Sequence, residues 1–333
     1  MANWDHVAEQ VLEGNELSDE QALAVLNCPD EELLTLLQAA YKVRSHYYGN
    51  KVKLNMIINT KSGLCPENCG YCSQSIRSTA PIEKYRMMDK ESILQGAKQA
   101  YDLQAGTYCI VASGRGPSNK EVERVTEAVK EIKEKYQLKV CACLGLLKPE
   151  QAAKLKEAGV DRYNHNLNTS ASHHEQITTT HTYDDRVRTV NTVKESGISP
   201  CSGVIIGMKE QKEDVVSMAR SLRVLDADSI PVNFLHAIDG TPLEGTAELN
   251  PRYCLKVLCL FRFINPSKEI RISGGREVNL GALQPLGLYP ANSIFVGDYL
   301  TTAGQETTAD HKMIEEMGFE VEFASQSEEQ PVV

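Results

Sequence analysis

Val52-Lys-Leu-Asn-Met-Ile-Ile58 is an apolar, strand-like run, and seven residues later comes Cys65-Pro-Glu-Asn-Cys69-Gly-Tyr-Cys72. A strand that opens a nucleotide-binding sheet is followed by a Gly-x-Gly-x-x-Gly turn; this one is followed by three thiols in a tight loop. Three thiolates hold three irons of a four-iron cubane, whose full protein ligation takes four Cys. The fourth iron then has no protein ligand, which leaves a place where a small molecule can be bound and activated.

Working outward, strand-like runs alternate with charged helical stretches. The candidate strands are 52–58, 107–112, 139–144, 162–166, 199–206, 229–234, 269–273 and 293–296. Helical patterns between them include 120–136, 149–158, 184–196, 212–225 and 251–264. Eight strands over about 250 residues match the rhythm of a (β/α)8 TIM-type barrel. A doubly wound sheet shows the same alternation, but the missing glycine fingerprint weakens it. The Gly-rich Ala112-Ser-Gly-Arg-Gly-Pro117 lacks the lysine and spacing of a phosphate loop. Residues 1–49 read as a helical extension, 50–300 as the barrel and 301–333 as a C-terminal segment with a polar, frayed tail.

The net charge of −10 argues against a nucleic-acid partner, which would need a basic stripe. No apolar run approaches the roughly 20 residues of a membrane span. The start, Met1-Ala-Asn-Trp-Asp-His6, lacks the layout of a secretory signal, so the expected location is the cytoplasm. There the 10 cysteines stay reduced and serve metal binding, catalysis or packing. Cys28, Cys254 and Cys259 read as packing residues.

Cys109, Cys141, Cys143 and Cys201 fall on the second, third and fifth candidate strands, and Arg271 on the seventh. Residues two apart leave the same face of a strand, so Cys141 and Cys143 point together. Four strand thiols beside a three-Cys loop favour a second metal or sulfur site inside the barrel over inert packing. In the fourth strand, Asn164, Asn166 and Asn168 share one face, and buried amides need partners. Facing inward, with Asn233 from the sixth strand, they form a ladder suited to a neutral polar ligand. His165 alternates with them and is expected to face the helices. The Thr-rich Ile177-Thr-Thr-Thr-His-Thr-Tyr183 reads as a loop without zinc-ligand spacing. Arg186 opens the next helix, either as a surface ion pair or as a cation for a carboxylate.

Lys61-Ser-Gly-Leu-Cys-Pro-Glu-Asn-Cys-Gly-Tyr-Cys-Ser-Gln74, Tyr163-Asn-His-Asn-Leu167, Cys201-Ser-Gly-Val-Ile-Ile-Gly207 and Arg271-Ile-Ser-Gly-Gly-Arg-Glu277 together resemble the biotin synthase family of the radical S-adenosylmethionine superfamily. The resemblance spans nearly the whole chain. It implies that Cys65, Cys69 and Cys72 hold a [4Fe–4S] cluster whose open iron chelates S-adenosylmethionine. Tyr71 then packs by the adenine, Asn166 and Asn168 serve the ribose, and Arg186 faces the methionine carboxylate. Cys109, Cys141, Cys201 and Arg271 hold an auxiliary [2Fe–2S] cluster, regarded in the family as the sulfur donor. Lys61, Asn164 and Asn233 position dethiobiotin, which a 5′-deoxyadenosyl radical activates for sulfur insertion. A flavodoxin or ferredoxin as reductant, iron–sulfur assembly proteins and a homodimer follow from the same resemblance.

Two departures stand out. Asn168 occupies a position where the family often has Asp. Cys143 lies one pleat, roughly 7 Å, along the strand from Cys141. It is either a packing residue of the next barrel layer or a fourth thiolate for a larger cluster. A lipoyl synthase is disfavoured because only Cys28 precedes Cys65. An iron–sulfur electron carrier or a zinc protein lacks a fourth nearby ligand.

Overall fold

The structure, a computed structural model, describes residues 3–246 and 249–323, so the polar tail lies outside the described residues. Among the described residues ten strands make one sheet: β1 Lys51–Lys61, β2 Thr107–Ala112, β3 Lys139–Cys143, β4 Arg162–Asn164, β5 Ser199–Cys201, β6 Val204–Ile206, β7 Ser229–Phe234, β8 Glu269–Ile272, β9 Ser293–Val296 and β10 Glu320–Glu322. Neighbours pair in parallel, and β1 pairs with both β2 and β9, which closes the barrel. The eight expected strands occupy its eight positions, because β5 and β6 share one.

The break between β5 and β6 has a local cause. Gly203 donates its N–H to Asn166 Oδ1 at 3.0 Å instead of to a neighbouring strand. A Cβ at this position would overlap the Pro231 carbonyl of β7. β10 is an addition that the pattern did not foretell, pairing with the first residues of β1 through Lys51 and Glu320. Three exposed or half-exposed residues rich in Glu carry no strand signal.

Alternation along the strands sorts the barrel into two faces. Ile110, Val140, Ala142, Val232, Ile270 and Ile294 point outward and are buried under the helices. Cys109, Cys141, Cys201 and Arg271 point inward. The N-terminal helices Trp4–Leu12, Asp19–Leu26 and Leu33–Tyr48 pack on or beside the apolar helix Pro251–Ile264. Ser18 opens the second of them with a capping box to Gln21. Cys28, Cys254 and Cys259 are buried in this layer, away from the barrel interior.

Candidate iron–sulfur and ligand site

The barrel lines a half-open cavity of about 340 Å³ at the C-terminal ends of its strands. Cys65, Cys69 and Cys72 meet it from the loop after β1, and Cys109, Cys141 and Cys143 from the strands. Asn164, Asn166, Asn168, Asn233 and Arg186 line it as well. Residues from Ile57 to Leu300 thus share one chamber.

The cysteine loop lies against the Thr-rich segment. Gly70 donates its N–H to the Ile177 carbonyl at 2.9 Å. The Asn68 amide donates to Thr179 Oγ1 at 2.7 Å, and its carbonyl accepts from Thr178 Oγ1 at 2.9 Å and from the Thr179 N–H at 3.0 Å. Glu67 accepts from Thr180 Oγ1 at 2.6 Å and pairs with His181 Nδ1. Burial pushes the Glu67 carboxyl up, but these partners outweigh it and hold the group below its ordinary range. Burial also raises Cys65 and pushes Cys72 up to about 12.

Deeper in the barrel, Cys109 and Cys141 stand side by side in register on β2 and β3, and Cys201 packs against them. All three are buried. Shared hydrogen bonds, then burial, hold the Cys141 and Cys201 thiols above the ordinary range. Such groups become thiolates when a metal takes the proton's place. Both thiol sets therefore fit an iron–sulfur group. Among the described residues no three His, Cys, Asp or Glu side chains converge as a single ion needs; a polynuclear cluster takes its thiolates at separate irons. Cys143 stands outside the packed trio and contacts Asn164 Oδ1 at 3.3 Å.

The asparagine ladder forms differently from its expected origin. β4 stops at Asn164, so only that residue faces the cavity through strand alternation. Asn166 and Asn168 reach it from the following loop, with Asn168 in the left-handed region at φ 68°. The Asn168 carbonyl accepts from Tyr71 Oη at 2.5 Å and from both terminal nitrogens of Arg186 at 3.1 and 3.2 Å. Arg186 Nη1 also donates to the Asn166 carbonyl at 2.8 Å. The Asn164 amide donates to Asn166 Oδ1 at 2.9 Å and contacts Cys201 Sγ at 3.2 Å. It thus links the ladder to the deep thiols. Asn233 donates to the Val204 carbonyl at 2.9 Å and accepts from the Gly274 N–H at 3.0 Å.

His165 corrects the expectation that it faces the helices. It is buried and lines the cavity, because the strand has ended before it. Desolvation, then the Arg186 charge, holds its imidazole well below the ordinary range, so it is neutral. Lys61 pairs with Glu121 at 2.7 Å near the end of β1. Three further features were not foreseen from the sequence: the Glu67–His181 pair, the Asn68 clamp and the loop after β9. In that loop Leu300 reaches the cavity, and Thr301 hydrogen-bonds Ser73 of the cysteine loop at 2.8 Å. A signal was available for Glu67 and Asn68, polar residues inside the motif itself.

Family models for the Radical SAM superfamily and for the Biotin and Thiamin Synthesis associated domain match residues 60–222 and 231–320. A biotin synthase of Geobacillus kaustophilus (strain HTA426) is 78% identical, covering 97% of this chain and 97% of its own. A biotin synthase of Bacillus subtilis (strain 168) is 73% identical over 97% of this chain and 96% of its own. Among solved structures, methylornithine synthase (PylB) superimposes with a TM-score of 0.82 at 23% identity, covering 96% of this chain and 98% of that one. The FeFe-hydrogenase maturase HydG from Carboxydothermus hydrogenoformans gives 0.80 at 16% identity, covering 97% and 81%. At such identities the likeness is one of fold, a closed parallel barrel.

Proposed function

This chain belongs to the biotin synthase family of radical S-adenosylmethionine enzymes, sulfurtransferases that turn dethiobiotin into biotin, and we propose the division of labour by which its residues do so. Cys65, Cys69 and Cys72 hold a [4Fe–4S] cluster, and Cys109, Cys141, Cys201 and Arg271 hold a [2Fe–2S] cluster below it. When bound, the first with S-adenosylmethionine supplies a 5′-deoxyadenosyl radical, and the second supplies sulfur.

The chain's own residues bind and orient. Arg186 meets the methionine carboxylate, and Tyr71, Asn166 and Asn168 hold the adenine and ribose. Their mutual hydrogen bonds support this reading, since groups already fixed lose little freedom on binding. Asn164 and Asn233 match the donors and acceptors of the ureido ring. Lys61 helps position dethiobiotin from the end of β1, exchanging Glu121 for the substrate's acid. Leu300 and the loop around it shield the chamber from water, which a reactive radical requires. Asn168 in place of Asp still accepts from a ribose hydroxyl, without the charge. Cys143 packs in the layer above the ligands.

The observation that carries this reading is that both thiol sets line or adjoin one chamber, with the amides between them. A flavodoxin or ferredoxin as reductant, iron–sulfur assembly proteins and a homodimeric state complete the proposal. No helix among the described residues is long and apolar enough to cross a membrane.

The test is an anaerobic assay of reconstituted protein with dethiobiotin, S-adenosylmethionine and a reductant, measuring biotin against 5′-deoxyadenosine. Biotin formation is expected. Deoxyadenosine without biotin keeps the radical chemistry and discards the substrate contacts. Cys143→Ala is expected to leave the Mössbauer signature of the second cluster unchanged, and a change would make Cys143 a ligand.

A further inference from the structure

Arg271 is fixed on three sides. Its Nε donates to Ser293 Oγ at 3.3 Å, and its Nη2 donates to Ser229 Oγ at 2.8 Å and to Glu269 Oε1 at 2.6 Å. Its guanidinium lies over the Phe295 ring, 4.9 Å from the centroid. Nη1 makes no hydrogen bond among the described residues, and Arg271 lines the cavity. The tethers therefore leave one nitrogen of the plane for whatever the deep thiols hold.

Glu269 is itself clamped. Arg162 Nη1 donates to its second oxygen at 2.7 Å, Lys53 Nζ stands 3.8 Å from that oxygen, and Ser229 Oγ donates to Oε1 at 3.0 Å. Arg271 is 1% exposed and Glu269 2%. Register explains the assembly: Ser229 of β7 pairs with Glu269 of β8, and Arg162 of β4 pairs with Cys141 of β3. One carboxylate thus serves three cations on strands in register with those that carry the thiols. The excess positive charge suits a layer that gains thiolates.

An unattached arginine has a long, flexible stem, and a ligand nitrogen on it would be shared among many rotamers. Partners behind a metal ligand set its orientation, and their loss weakens the site although they touch no metal. We propose that Glu269, held by Arg162, is the positioning residue that aims Arg271 at the second cluster. The inference rests on reading Cys109, Cys141, Cys201 and Arg271 as the ligands of that cluster. A salt bridge that only fills the barrel floor would support the fold without any bearing on one cluster over the other.

The experiment uses full-length protein reconstituted with iron and sulfide. It follows iron and sulfide per chain, the Mössbauer spectrum of each cluster and the rate at which a chelator removes each. The four-iron cluster of the same molecule is the internal reference. In Glu269→Gln the second cluster is expected to be lost about 10–100-fold faster, with a changed spectrum, while the first is lost at its wild-type rate. Glu269→Gln leaves buried cations unpaired, so Arg162→Gln is the second variant. It keeps the Glu269–Arg271 bond but releases the carboxylate, and a smaller acceleration confined to the second cluster is expected. An unchanged spectrum and loss rate in the folded variants, or equal acceleration for both clusters, overturns the inference. Wild-type protein that holds only the four-iron cluster would instead overturn the reading on which it rests.

Discussion

Asn68→Ala removes the side chain that ties the cysteine loop to the Thr-rich segment. Three hydrogen bonds go with it: to Thr179 Oγ1 at 2.7 Å, from Thr178 Oγ1 at 2.9 Å and from the Thr179 N–H at 3.0 Å. The 3.2 Å approach of Thr180 Oγ1 adds no fourth bond, because that hydroxyl's single proton already goes to Glu67 at 2.6 Å. At about 1 kcal/mol each, discounted because Asn68 is half-buried, the loss is about 2 kcal/mol. That raises the population of the undocked loop roughly 30-fold. The loop does not detach altogether, since Gly70 still bonds Ile177 and Glu67 still bonds Thr180. Hydrogen exchange by mass spectrometry should show faster exchange over 68–72 and at the Thr179 amide, with the rest of the barrel unaffected. A chelator should strip the four-iron cluster faster in step. Unchanged exchange in this loop would refute the claim that the Asn68 clamp holds it.

Gly203→Ala forces a Cβ into the Pro231 carbonyl at the break between β5 and β6. It should cost about 1–3 kcal/mol, read as a lower urea midpoint. Asp310→Ala breaks a fully buried pair in which Arg276 donates to both carboxylate oxygens, at 2.7 and 3.1 Å. The cation keeps only the partly exposed Glu277, at 3.1 Å, and the loss should cost about 3 kcal/mol, seen in thermal unfolding. The backbone N–H of Thr182, then its hydroxyl and Arg188, hold Asp185 down at about 2 despite some burial. The unfolded value is about 3.9, so its contribution is complete above that pH and is lost as the pH falls through about 2. Urea midpoints of wild type and Asp185→Asn should therefore differ near neutrality and converge in acid.

The barrel was legible because its signal is repeated: eight apolar runs of four to eight residues, most of them followed by a helical pattern. The deep thiols were legible for the same reason, since a two-residue period places Cys109, Cys141, Cys201 and Arg271 on inner faces once the strands are drawn. Where the period stops, inference from it stops too. His165 was assigned to the outer face by extending β4 beyond Asn164, while the chain had already turned into a loop. Asn166 and Asn168 reach the cavity as expected, but by a loop path and a left-handed residue. The Arg162–Glu269 clamp joins strands about 100 residues apart, so only register could reveal it. The same holds for Glu67 with His181 and for Thr301 with Ser73.

A TIM barrel is ordinarily filled by layers of branched aliphatic side chains, and that filling is part of what holds it closed. Here many inner positions carry Cys, Asn, Ser, Arg and Glu beside a few apolar ones such as Ile57, Val111 and Phe295, and a chamber is left between them. Most of the apolar burial is then on the outer face, where Ile110, Val140, Val232, Ile270 and Ile294 are completely buried under the helices. Each such side chain contributes about 1.5–3 kcal/mol on burial. The inner polar groups are held by one another: Asn164 by Asn166, Asn168 by Arg186 and Tyr71, Arg271 by Glu269. Polar groups paired this way can stay buried without loss, and they stay in place before any ligand arrives. One face of each strand thus maintains the fold and the other is free to do chemistry. That is why substitutions on the inner face should show first in cluster and ligand binding, and those on the outer face in unfolding.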